Sequence, residues 1–469
     1  MKQLDRRWKV FLVTAVAVFM AFLDVTIVNV AFPSIEAAFP SASLAELSWV
    51  LNAYNIVFAA LLVPAGRLAD LLGRRRVFFV GLGLFMVASA LCGLAWSAWA
   101  LVAARVLQAA GAALLVPTSL GLLLPEFPVE RRASATALWG AVGGVAAATG
   151  PSLGGLLIEW ADWRLVFFVN LALGLAAWVP ARRLLRETRD PDRGAVPDAL
   201  GIALLAGGVG ALALAIVEAP EWGWGSARVL GVFAVALVAL VAFLWRSVAH
   251  PHPVLELSLF RVRSFAAACV GVFVFSLGFY AVLLANILFL TSVWGYSTLT
   301  AGFAVTPGPL MAALSSALAG RMIDRVGSRA AAVPGGLLFA LGCVLFATGL
   351  GTSPAYLTEF LPATLLTGAG VGLSFAGFSS AAVAELPPAR FATGSAISAC
   401  FRQLGAVLGI SVLIAVAPDF TLAYTLMAVT GAAAGLIALA LRATVPAWTS
   451  KSAPSTTPSP ERAPSAARS

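Results

Sequence analysis

Apolar runs of roughly 18 to 25 residues recur along the whole chain between short polar islands, and that is the length a helix needs to cross a bilayer core of about 30 Å. Charges, Gly/Pro turns and tryptophans bound these runs at about 10–32, 48–66, 77–97, 99–121, 134–158, 164–181, 199–217, 228–248, 265–290, 301–319, 330–351, 357–384, 393–416 and 420–441. The pattern therefore predicts fourteen spanning helices, an even number that puts both ends of the chain on one face. Strands of a membrane barrel alternate apolar and polar residues in segments of about 10. No such alternation occurs, so the expected class is an all-α polytopic membrane protein.

One polar island occurs twice. Gly66-Arg67-Leu-Ala-Asp70-Leu-Leu-Gly73-Arg74-Arg75-Arg76 is echoed 254 residues later by Gly320-Arg321-Met-Ile-Asp324-Arg325-Val-Gly327-Ser-Arg329. A matched pair at such a separation is the mark of a long-range internal repeat, and two copies on one face of the membrane imply parallel repeats. Pairing the copies sets spans 1–6 against spans 9–14 and leaves spans 7 and 8 as an insertion. The expected organisation is a six-helix lobe over 1–181, a cytoplasmic linker over 182–198, two inserted helices over 199–248, a second linker over 249–264 and a second six-helix lobe over 265–441. The Ser/Pro/Ala-rich tail from 442 to 469 has too little apolar content to bury a core and should be disordered.

Charge placement gives the orientation. Arg6, Arg7, Arg74 to Arg76, Arg131, Arg132, Arg182, Arg183, Arg186, Arg246, Arg261, Arg263 and the arginines of the second repeated loop share a face with both termini, whereas Arg164 and Arg228 fall opposite. The positive-inside rule makes the crowded face cytoplasmic. Composition agrees with a membrane class: 61% of the 469 residues are hydrophobic and 11% charged, against about 25% charged in soluble domains. The net charge of +9 is thus a topology signal, and no nucleic-acid partner is expected. Cys92, Cys269, Cys343 and Cys400 lie singly in apolar runs and read as small core residues, with no metal site implied. Most tryptophans sit at span ends, as an interfacial belt requires.

Against this apolar background, buried polar groups are the candidates for chemistry. Asp24 is the acidic residue set well inside a span, where a carboxylate costs roughly 2.5 to 3.5 kcal/mol unless it is paired, protonated or facing a cavity. Arg105, about two turns inside the fourth span, cannot shed its proton and needs a partner or water. Counted at 1.5 Å per residue, both lie roughly 10 to 12 Å below the same surface, close enough to meet. The fifth span carries Gly150, Pro151, Gly154 and Gly155 in a stripe that allows close packing, with Pro151 bending the helix. Asn29, Asn55, Gln108, Asn286 and Arg402 are the polar candidates for a cargo cavity, although Asn55 and Asn286, like Asn52 and Asn170, are read first as interhelical hydrogen-bond partners. His250 and His252 share one loop, no Gly-rich phosphate loop occurs and no Ser/His/Asp set can be assembled. Neither an enzyme nor a cofactor is expected, and without a nucleotide site the energy source would be an ion gradient.

These stretches together resemble the major facilitator superfamily and, within it, the fourteen-helix drug:proton antiporters. The repeated loop is similar to that between helices 2 and 3 of the superfamily; Leu23-Asp24-Val-Thr26 resembles the helix 1 motif of the antiporters. Arg105-Val-Leu-Gln108-Ala109-Ala-Gly111 resembles the helix 4 motif, with Ala109 in place of a usual glycine. Gly150-Pro151-Ser-Leu-Gly154-Gly155 resembles the antiporter motif of helix 5. Asp162-Trp163-Arg164 with Phe167 and Asn170, and Arg402-Gln403-Leu404-Gly405, match further stretches, Ala172 replacing a common proline. The resemblance implies two lobes rocking around a midplane cavity and export of amphipathic or hydrophobic small molecules in exchange for protons. It further implies proton coupling through Asp24 and Arg105, and a conformational latch built from Gly66, Arg67, Asp70, Gly73, Arg74, Arg75, Gly320, Asp324 and Gly327. A monomer in the plasma membrane is expected. A carrier of one specific metabolite, or a non-transporting scaffold on the same fold, is the alternative. Reporters fused after Arg186 and after Arg442 should both read out as cytoplasmic, and a periplasmic signal from either would overturn the fourteen-helix layout.

Overall fold

The computed structural model describes residues 5–128, 132–189, 198–387 and 390–442; the tail beyond 442 and most of the first linker lie outside these. Fourteen helical segments among them are long and apolar enough to cross a membrane. They are α1 (Arg6–Ala38), α2 (Leu44–Leu72), α3 (Arg74–Gly93), α4 (Ala98–Leu123), α5 (Arg132–Trp160), α6 (Leu165–Leu184), α7 (Ala199–Trp222), α8 (Ala227–Ala249), α9 (Arg263–Ser292), α10 (Thr298–Val305), α11 (Pro307–Val326), α12 (Arg329–Gly349), α13 (Leu361–Ala384), α14 (Phe391–Val416) and α15 (Phe420–Ala438). Helices α10 and α11 form one span. The continuous tenth helix read from the sequence is broken at Thr306-Pro307-Gly308-Pro309, because each proline removes a backbone N–H and clashes with the preceding turn.

The repeat is visible in the elements themselves. Adding 254 to the bounds of α2, Leu44–Leu72, gives Thr298–Val326, the bounds of the α10–α11 span, and the end of α1 at Ala38 maps onto the end of α9 at Ser292. Ser43 and Ser297 are both N-caps, each accepting a hydrogen bond from the backbone N–H three residues on. Gly73 and Gly327 close the equivalent helices at φ 105° and 97°, a conformation that glycine adopts without the steric cost of a Cβ. Packing repeats as well: α1 lies on α5 and α6 as α9 lies on α14 and α15, and α3 lies on α4 and α6 as α12 lies on α13 and α15.

Helices α7 and α8 pair with each other, and α7 lies along the α2–α14 seam. A cavity of about 270 Å³, lined by apolar side chains including Val63, Leu205, Phe243 and Phe401, separates the inserted pair from that seam. The outer face of α8 exposes Val235, Leu237, Val238, Val241, Leu244 and Trp245, which suits a lipid-facing helix.

The six-helix groups meet through α1 with α9, α2 with α14, and α5 with α10 and α11. At the arginine-poor end the approach is backbone-close. A Cβ on Gly155 would stand 2.8 Å from the Leu299 Cα, and one on Gly302 would press on the Pro151 carbonyl. Ser34 and Thr298 share a hydrogen bond across the same seam at 3.3 Å. The glycine stripe of α5 thus lets the two groups close on each other there, while Gly150 and Gly154 seat the same helix against Thr26 and Ile27 of α1.

Asp198 anchors the insertion at the arginine-rich end. Its side chain, 1% exposed, caps α7 by accepting from the Gly201 N–H at 2.9 Å and accepts from Arg246 Nε of α8 at 2.7 and 2.9 Å. Burial pushes this carboxyl up, but the Gly201 N–H and the Arg246 guanidinium outweigh it and hold the group below its usual range. A depressed carboxylate stabilises the fold fully above its unfolded value of about 3.9 and ceases to do so as pH falls through the folded value. Asp198→Ala should therefore cost about 1–3 kcal/mol at neutral pH, with the gap to the parent protein closing below about pH 4. Thermal unfolding in detergent across this range checks it.

Candidate functional site

Asp24 and Arg105 meet. Residues 23–31 of α1 are almost wholly buried, so the Asp24 carboxylate has no route to bulk water, and its partners come from other helices. Arg105 Nη1 of α4 donates to Asp24 Oδ2 at 2.5 Å. Asp24 Oδ1 accepts from Gln108 Nε2 at 2.8 Å and from Asn170 Nδ2 of α6 at 3.2 Å. The two charged side chains are 0% and 1% exposed, and burial to this degree demands that charges be paired.

The arginine is held independently of the acid. Its Nε donates to the Val50 carbonyl of α2 at 3.1 Å, Nη1 also reaches Gln108 Oε1 at 2.6 Å, and the guanidinium lies 4.1 Å from the Tyr54 ring centroid and 5.8 Å from that of Phe167. Gln108 Nε2 in turn donates to Ser89 Oγ of α3 at 2.8 Å. Five helices, α1, α2, α3, α4 and α6, converge on one carboxylate. Close packing makes room for it: a Cβ on Gly111 of α4 would stand 2.7 Å from the Phe85 N of α3, and Ala109, in the place of a glycine, is fully buried without displacing the motif.

The other polar candidates are scattered. Gln108 belongs to the charge cluster and has no open surface. Asn55 Oδ1 accepts from Gln403 Nε2 of α14 at 3.1 Å, and Gln403 Oε1 accepts from the Tyr280 hydroxyl of α9 at 3.0 Å, so this chain of groups crosses between the six-helix groups. Asn286 Oδ1 accepts from the Tyr424 hydroxyl at 2.9 Å within the second group. Asn29 Nδ2 donates to its own helix at Val25 O, 2.6 Å, leaving its Oδ1 without a partner. Arg402 has no hydrogen bond or ion pair among the described residues, and its guanidinium lies 6.0 Å from the Phe375 ring centroid.

The two repeated loops differ in use. Asp70 accepts from Arg74 Nε at 2.9 Å, and Arg74 Nη1 donates to the Gly121 carbonyl at 3.3 Å. Glu187, after α6, accepts from the backbone N–H groups of Arg75 and Arg76 at 3.0 and 3.3 Å, placing a carboxylate on the N-terminus of α3 where the helix dipole favours one. Arg67 donates to the His252 carbonyl at 3.0 Å. In the second copy Asp324 is exposed and Gly320 has open space around it. The first loop is thus tied within its own group and to the segment preceding α9, and among the described residues no hydrogen bond or ion pair joins the two copies.

Tyr54, Ser89, Val50 and Gln403 escape a reading of sequence alone. A tyrosine or serine in an apolar run carries a weak signal, and a backbone carbonyl carries none. Breaking a buried pair by removing one partner costs about 3–5 kcal/mol. Asp24→Asn should approach that cost, since Arg105 cannot deprotonate, whereas the neutral pair Asp24→Asn/Arg105→Gln should lose less than Asp24→Asn alone. Unfolding in detergent of both variants is the measurement, and a double variant less stable than the single would show the pair to be uncoupled.

Comparison with known proteins follows the same lines. The family model described as Major Facilitator Superfamily matches residues 14–249 and 268–468. Among curated relatives, the chain is 33% identical over 401 residues, 85% of its length and 74% of the relative's, to "Multidrug resistance protein Stp" of Mycobacterium tuberculosis. It is 34% identical over 413 residues, 87% of its length and 75% of the relative's, to "Tetracenomycin C resistance and export protein" of Streptomyces glaucescens. It is 35% identical over 426 residues, 89% and 83% of the two chains, to "Puromycin resistance protein pur8" of Streptomyces alboniger.

Proposed function

The chain belongs to the major facilitator superfamily, and from that membership we infer that it exports amphipathic and hydrophobic small molecules, drugs and antibiotics among them, in exchange for protons. It is a multi-pass membrane transporter of the multidrug-efflux kind. The arginine-rich face is read as cytoplasmic, so the seam closed by Gly155 and Leu299 lies on the outer side. Cargo would bind between the lobes and leave when that seam opens.

The observation that carries the proton reading is the Asp24–Arg105 pair, a titratable group bonded to a cation that holds its place without it. When water reaches Asp24, a proton can bind the carboxylate and replace Arg105 as its charge partner. Arg105 keeps its charge and stays on the Val50 carbonyl, Gln108 and the Tyr54 ring. One proton is taken up, one ion pair is broken and the ties from α1 to α4 and α6 are loosened. When Arg105 pairs again with Asp24, the proton is released to the side that is then open. Proton loading and helix rearrangement are then the same event. The first repeated loop, through Asp70 and Arg74, is assigned to steadying the cytoplasmic ends of α2, α3 and α4 during this motion.

A proton gradient imposed on proteoliposomes should drive movement of a lipophilic dye, and a protonophore should abolish it. Asp24→Asn/Arg105→Gln should bind the dye yet move it without regard to the gradient. Wild-type transport indifferent to the gradient would end the proton reading; intact coupling in the double variant would remove the pair from it.

A further inference from the structure

The interior of the protein holds a second arginine whose surroundings are the opposite of those of Arg105. Arg402 lies eleven residues after the start of α14 at Phe391 and fourteen before its end at Val416, about 16 and 21 Å from the two helix ends. A guanidinium at that depth costs roughly 2.5 to 3.5 kcal/mol unless something compensates it. Among the described residues Arg402 has no ion pair or hydrogen bond. Its Nε is enclosed with no partner, while the side chain as a whole remains partly accessible.

What surrounds it is aromatic. The guanidinium reaches from α14 to the Phe375 ring of α13, 6.0 Å from its centroid. Phe279 of α9 packs on that same ring at 5.1 Å, edge to face. The adjacent residue, Gln403, is committed to Tyr280 and Asn55 across the lobe boundary. Among the described residues Arg402 is thus a cation without an ionic partner, set against the Phe375 ring and next in the chain to the group that crosses between the lobes.

The charge balance of the interior adds a second, independent reason. Asp24 is the carboxylate at mid-span, and Arg105 neutralises it. The remaining acidic residues of the described helices lie toward span ends, such as Glu36, Glu46, Glu159, Glu218 and Glu359. A cationic cargo would meet the like charge of Arg402, which no carboxylate pairs with among the described residues. An anion would find a guanidinium with its hydrogen-bonding capacity unused.

We propose that Arg402 is the charge-recognition residue of the cargo site and that the preferred cargo is an aromatic anion: a planar ring system carrying a carboxylate, sulfonate or ionised phenol. The acid group accepts hydrogen bonds from the guanidinium while the rings pack on Phe375 and Phe279. This rests on the export reading for the location of cargo between the lobes, but not on proton coupling.

The test uses two dyes with the same xanthene ring system and opposite charge, fluorescein and a cationic rhodamine, bound to the purified full chain in detergent at pH 7.5 without any gradient. Fluorescence polarisation should show wild type binding fluorescein about tenfold or more tighter than the rhodamine, the scale of one charge-assisted hydrogen bond. Arg402→Gln should weaken fluorescein by roughly tenfold and leave the rhodamine unchanged or tighter, and Arg402→Lys should restore part of the loss. Equal fluorescein affinity in wild type and Arg402→Gln, a wild-type preference for the rhodamine, or no binding of either dye would each overturn the proposal. Because no gradient is present, loss of proton coupling leaves this result untouched, and gradient-driven export of dyes without charge preference would sink the Arg402 assignment alone.

Discussion

A carboxylate sealed inside the bilayer region must be satisfied by the helices around it, and this constraint governs the first lobe. Asp24 has no water and therefore draws donors from α4 and α6, while the arginine that neutralises it draws on α2 and, through Gln108, on α3. Each of those helices is fixed in rotation by the need to present its donor or acceptor. The small residues of α4 follow from the same demand, since Gly111 and the neighbouring alanines let α3 and α4 approach closely enough for Ser89 and Gln108 to bond. A buried ion pair is a weak source of net stability. On the proposed reading its value lies in having two states, paired and protonated, that differ in which helices it ties.

The second lobe has the same helices without the same centre. At the repeat offset of 254 residues, Asp24 corresponds to Gly278, where a Cβ would stand 3.0 Å from the Phe339 ring. Phe275, Phe339, Phe346 and Tyr424 fill that lobe with aromatic packing, and its one deep charge among the described residues, Arg402, lies by the Phe375 ring that packs on Phe275. One lobe holds the titratable pair and the other presents an unpaired cation, so duplication of the scaffold has been followed by division of its chemistry.

Much of this was legible in the chain. The spans could be read because each must be apolar over the width of the bilayer, and the repeat because Gly73 and Gly327 are needed where the backbone turns through positive φ. Asp24 and Arg105 could be read because a charge at depth demands a partner, and counting from span ends placed both at one level. The rest needed three dimensions. Nothing in Thr306-Pro307-Gly308-Pro309 distinguishes a kink from a break until α10 is seen to end at Val305 and α11 to start at Pro307. The two loops differ where it matters: Arg74 pairs with Asp70, and Ser328 stands at its place in the second copy, where Asp324 is exposed. Gln108 sits on a sequence stripe that suits a cavity as well as a core; only the position of Asp24 decides between them.

If Asp24 couples to protons and Arg402 selects an aromatic anion, the two deep arginines together set the energetics of transport. An aromatic anion leaving the cell while one proton enters moves two elementary charges in the direction that an inside-negative potential favours, about 4.6 kcal/mol per 100 mV at 2.3 kcal/mol per charge. A monovalent cation exchanged for one proton moves no net charge and draws on the pH difference alone. An exporter of the proposed kind would therefore be matched to a driving force dominated by voltage. The pairing of Asp24 serves the same end, because an unpaired carboxylate near the cargo would repel the anion that Arg402 attracts, and neutralising it inside the first lobe leaves the field between the lobes to the cation.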